Sequence, residues 1–79
     1  MACLATFYTH HDATMFFSFL KGEGIPAKMA PVPRKLSSSC GVCVRYTSDM
    51  VIDFDRYEIE AIHTEVDGNY AKIWENDVD

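Results

Sequence analysis

Residues 31–43 read Pro-Val-Pro-Arg-Lys-Leu-Ser-Ser-Ser-Cys-Gly-Val-Cys, and this run constrains how the rest of the chain can be arranged. Proline fixes φ and withdraws a backbone donor, while serine and glycine supply local hydrogen bonds and backbone freedom. The run is therefore a shaped loop rather than core. It delivers Cys40 and Cys43 to the start of an apolar strand, and a thiol beside glycine at the end of such a loop points to cysteine chemistry.

The chain has 79 residues, room for one small domain and too few for two separately packed cores. The expectation is a single domain over 1–79, with 75–79 a frayed acidic tail. The start, Met-Ala-Cys-Leu-Ala-Thr-Phe, has neither a basic leader nor a long apolar run, so a cytoplasmic protein with no signal peptide or membrane span is expected. The formal net charge is −5, with only seven Lys and Arg; a phosphate backbone needs clustered cations, so nucleic acid is not an expected partner. Three cysteines, an odd number without an export signal, argue for free thiols over a disulfide framework.

Residues 3–8 are compact, apolar and β-prone, and form a first strand. From 11 to 21, Ala13, Phe16, Phe17 and Leu20 recur at helical spacing, with Thr9 or His10 near the N-cap and Gly22 and Gly24 able to end the helix. Met15 and Phe19 widen its apolar surface, which either self-association or a generous core stripe would use. Residues 27–32 and 41–46 read as the second and third strands. In the third, Val42, Val44 and Tyr46 share one face while Cys43 and Arg45 share the other.

Two readings compete for residues 48–66. Asp55 followed by Glu58 has capping-box character, and Phe54, Tyr57, Ala61 and Ile62 fit a helical face. The rival makes 59–66 a strand that turns at Asp67-Gly68-Asn69 into a hairpin with 70–74. The helix is preferred here, and 70–74 is a strand either way. The order is then β-α-β-β-α-β, an α+β, ferredoxin-like sandwich of a four-stranded antiparallel sheet with two helices on one face. In that topology the third strand starts where the first helix starts, which puts Cys40 near His10, His11 and the helix N-terminus. Positive potential there, with Arg34 adding to it, favours a thiolate, and amides around Ser38, Ser39 and Gly41 would steady it.

Five segments carry a resemblance: Thr6-Phe7; His11 with Ala13 at a helix start; Gly24-Ile25-Pro26; Pro31-Val32-Pro33-Arg34; and Ser37-Ser38-Ser39-Cys40-Gly41. Over about half the chain this pattern resembles the small bacterial proteins described as selenium/sulfur carrier-like, the proline-to-cysteine segment being its most specific part. The resemblance implies a role in accepting and passing on activated sulfur or selenium, with Cys40 matching the family's motif cysteine. It implies a donor protein such as a cysteine desulfurase, an acceptor protein, and a carrier rather than a true catalyst. No cofactor is called for. Cys43 extends the motif to Cys-x-x-Cys and raises dithiol chemistry.

Each of these residues also has a plainer reading. Cys40 can be a structural thiol, Cys43 a strand residue, and Cys3 a core residue. His10 and His11 can be ordinary helix-start residues, and Arg34 can position the loop. Asp53, Asp55, Glu58 and Glu60 read as solvated charges rather than a hydrolytic dyad. Besides the carrier, two classes stay open: a metal site on Cys40, Cys43, His10 and His11, and a noncatalytic module binding through the exposed side of the helix and the open sheet face.

Overall fold

The computed structural model describes residues 2–47 and 58–76. In chain order the elements are β1 (Ala2–Phe7), α1 (His10–Gly22), β2 (Ala27–Pro31), β3 (Val42–Thr47), β4 (Ile59–Val66) and β5 (Asn69–Glu75). The five strands make one antiparallel sheet in the order β2-β3-β1-β4-β5. This is a small α+β fold, but it is not the four-stranded βαββαβ sandwich with two helices.

The correction lies in β4. Ile59, Ala61, Ile62 and His63 are all buried, so the strand is covered on both faces and its apolar positions do not alternate. That spacing imitates a helical stripe. The hairpin rival is what the structure shows: Val66 pairs with Asn69 across Asp67 and Gly68, whose φ values of 52° and 77° are those of a type I′ turn, where Asp-Gly is favoured. The part of the expected helix in 48–57, with Phe54, Asp55 and Tyr57, lies outside the described residues. At the far end, β5 takes in Glu75, and Asn76 ties back to β4 through its amide on the Glu60 carbonyl (3.0 Å) and its side chain on the Ile59 carbonyl (3.1 Å).

Thr9 caps α1: its hydroxyl accepts the Asp12 amide at 3.1 Å and donates to the Asp12 carboxylate at 2.6 Å. The helix ends where Ile25 and Gly24 return their amides to the Leu20 and Lys21 carbonyls, with Gly24 at φ 72°. Between these ends Ala13, Phe16 and Leu20 are fully buried against β1, β2 and β3. Phe16 centres this layer, its ring 5.6 Å from Phe7 and 5.5 Å from Tyr46. Cys3, Ala5, Val44, Ile59 and Ile62 complete the helix-side core.

The other face of the sheet is also partly dry, because Leu4, Thr6, Cys43, Ala61 and His63 are buried there. Cross-strand partners in an antiparallel sheet share a face. The register therefore lays Lys28, Arg45, Leu4, His63 and Lys72 in one row across all five strands, beside a row containing Ala30, Cys43, Thr6 and Ala61.

Candidate functional site: the β2–β3 loop and its cysteines

The proline-to-cysteine run is the connection of the β2–β3 hairpin. Pro31 pairs with Val42, and the Val32 amide donates to the Gly41 carbonyl at 3.1 Å, so the neck is closed and the intervening residues form a compact Ω-type loop. Further bonds fix it. The Leu36 amide donates to the Pro33 carbonyl (3.0 Å), and the Ser38 hydroxyl to the Phe7 carbonyl at the end of β1 (3.1 Å). The Lys35 ammonium reaches the Gly68 carbonyl in the β4–β5 turn (2.8 Å), and Ser39 binds the Glu60 carboxylate of β4 through its hydroxyl (2.8 Å). Gly41 closes the loop at φ 75°, a conformation that non-glycine residues adopt only with strain.

All three cysteines are free thiols, and their settings differ. Cys3 and Cys43 are buried, whereas Cys40 is partly exposed. Cys40 packs against the edge of the helix-side core, and its thiol donates to the Val42 carbonyl at 3.3 Å. Cys43 stands on the opposite face, opposite Thr6, with its thiol directed to the Pro31 carbonyl at 3.6 Å. Burial pushes the Cys43 thiol up, a shift opposed by Arg45 and reinforced by the nearby Cys40. A raised thiol is a poor nucleophile near neutrality.

The sequence reading put Cys40 near His10, His11 and the start of α1. Because Thr6 pairs with Cys43, the loop and the start of α1 lie at one end of the sheet. The finer contacts differ from expectation. His10 and His11 are exposed on the first turn of α1, Arg34 is exposed in the loop, and among the described residues none of them is bonded to Cys40. The Ser39 amide is directed to Glu60 Oε1 at 3.4 Å, Ser38 serves β1, and Gly41 offers its carbonyl to Val32. These residues shape the loop. Among the described residues no group of three or more His, Cys, Asp or Glu side chains is placed to hold a metal ion.

Two residues gain a place that sequence reading did not give them. Glu60 anchors the loop through both carboxylate oxygens. His63 is buried with Nδ1 lacking a hydrogen-bond partner; burial, then Lys72, holds its imidazole below the ordinary value. The Asp67-Gly68 turn marks β4 as a strand, but the face each residue occupies follows from a cross-strand register with irregularities at Thr6/Phe7 and Ile62/His63.

Of the three thiols, that of Cys40 is the partly exposed one, on a hairpin loop anchored to β1, β4 and the β4–β5 turn of a small α+β fold. The chain belongs to the family described as "Putative Se/S carrier protein-like", whose family model matches residues 2–75. No curated protein and no solved structure matches the chain. Among the described residues no helix is long and apolar enough to cross a membrane.

Proposed function

We propose that the chain carries activated sulfur or selenium on Cys40, receiving it from one protein and handing it to another. The observation that carries this reading is the contrast among the cysteines: Cys40 alone is partly exposed, and it sits on a loop tied to β1, β4 and the β4–β5 turn. In the loading step the Cys40 thiolate attacks the terminal sulfur of a donor persulfide. A sulfur–sulfur bond forms at Cys40, the donor's own sulfur–sulfur bond breaks, and the donor departs as a thiol that takes up the proton Cys40 gave away. Sulfane sulfur moves with no net oxidation. An acceptor nucleophile then repeats the exchange in the opposite sense.

This chemistry needs a donor such as a cysteine desulfurase, an acceptor protein and a reducing compartment such as the cytoplasm, with no resident cofactor. Cys43, buried and raised, is held as a packing residue, and the Cys-x-x-Cys spacing is incidental. The test is incubation with a desulfurase and cysteine followed by intact-mass measurement. One sulfur is added to the native chain and to Cys43→Ser, and none to Cys40→Ser. Absence of an adduct with several donors overturns the reading.

A further inference from the structure

The face of the sheet opposite α1 carries a cavity of about 330 Å³, walled by the β2–β3 loop on one side and by β1, β4 and β5 on the other. Its size lies at the lower end of small-molecule sites, and its lining is mainly polar. Lys35 and Ser37 come from the loop, Glu60 and His63 from β4, and Lys72 and Glu75 from β5.

The charges in this lining balance, two ammonium groups against two carboxylates, with an imidazole that burial and Lys72 keep towards its neutral form. A polyanion would meet two carboxylates and a cation two ammonium groups. A ligand bearing one charge of each sign matches both. The described bond of the Lys35 ammonium is to a neutral carbonyl, that of Gly68, which leaves its charge available to an anionic group. Lys72 meets Glu75 at 3.4 Å, and both side chains are about half or more exposed; such surface pairs are weak and rearrange readily. Glu60 accepts two bonds from Ser39, and a carboxylate has lone pairs for more. His63, 6% exposed, adds a ring edge to the lining.

We propose that the cavity binds a small zwitterion of the α-amino-acid class, its carboxylate between Lys35 and Lys72 and its ammonium at Glu60. The site is distinct from the Cys40 thiol and does not depend on thiol chemistry. The two are joined through Glu60, which faces the cavity and holds Ser39, the residue before Cys40.

The test is a ¹H–¹⁵N correlation titration of the full chain with L-alanine and L-serine, with acetate and methylammonium as single-charge halves. Saturable shifts are expected for amides around Lys35, Glu60, His63 and Lys72 at millimolar amino acid. Binding of either half should be about tenfold weaker or less, and Lys72→Met and Glu60→Gln should each weaken amino-acid binding about tenfold. Glutamine at 60 keeps an acceptor for Ser39, and the spectra themselves report whether each variant is folded. Cys40→Ser should bind as the native chain does, so the result is read independently of sulfur transfer. Absence of saturable shifts overturns the proposal, as does acetate binding as tightly as alanine or unchanged binding in folded Lys72→Met.

Discussion

Ser39 and Glu60 are joined twice: the serine amide donates to Oε1 at 3.4 Å and its hydroxyl to Oε2 at 2.8 Å. The residue before Cys40 is thereby held to β4, a strand 21 residues further along the chain. Charge-assisted bonds of this kind are stronger than neutral ones, but exposure reduces their net worth to about 1 kcal/mol. Glu60→Ala should lower stability in urea by about that amount and raise the alkylation rate of Cys40 under native conditions. An unchanged rate would show that the other loop bonds suffice.

The three thiols should separate by reactivity. Iodoacetamide under native conditions is expected to modify Cys40 first and to reach Cys3 and Cys43 only on unfolding, because both are buried and Cys43 is raised by its burial. Peptide mapping after a timed pulse reads the order directly. Labelling of Cys43 at the rate of Cys40 would contradict the strand alternation described above.

Gly41→Ala tests the neck of the loop. No atom lies within 4 Å of where the new methyl would stand, so the penalty comes from the φ of 75° alone. The expected loss is about 1–2 kcal/mol by chemical denaturation. A neutral substitution would mean that the loop closes in another conformation.

Phe16 is fully buried and touches Phe7, Phe19 and Tyr46. Phe16→Ala removes the ring that joins helix to sheet and should cost about 3–5 kcal/mol, a large share of the stability of so small a fold. Thermal melts of the two proteins give the comparison. Met15→Ala, on the exposed side of the same helix, should change little.

His63 gives stability a dependence on pH. Burial, chiefly, and Lys72 hold its folded imidazole below the ordinary 6.5, with the Leu4 backbone and Glu75 acting the other way. The unfolded chain therefore takes up the proton first as pH falls, and its population is favoured. This contribution is complete above 6.5 and is lost as the pH falls through the folded value. His63→Gln should remove it, so that the native and variant urea midpoints converge or cross below 6.5. A constant difference between them across that window would contradict the assignment.

Most of the sheet was legible because its signals are local. The first three strands and β5 fall within a residue or two of the expected spans, and Thr9 and Gly24 cap and end α1 as residues of their types do. Alternation in β3 correctly set Cys43 apart from Val44 and Tyr46. What misled was Ile59 to Ile62, where burial on both faces erases the period-2 signal. The composition of the loop singled out Cys40 as a candidate, but Glu60 and His63 take their places from cross-strand register, and no local pattern encodes that.

β1 lies at the centre of the sheet, yet Ala2 pairs with Thr47 and Cys3 with Thr64. During synthesis β1 must therefore wait for partners made much later. Until β4 emerges, the aromatic side of α1 has only part of its cover, and the loop carrying Cys40 lacks its anchor on Glu60. The surroundings of this thiol are consequently complete only once β4 and the β4–β5 turn have formed, so an early segment of the chain takes its final shape from a late one.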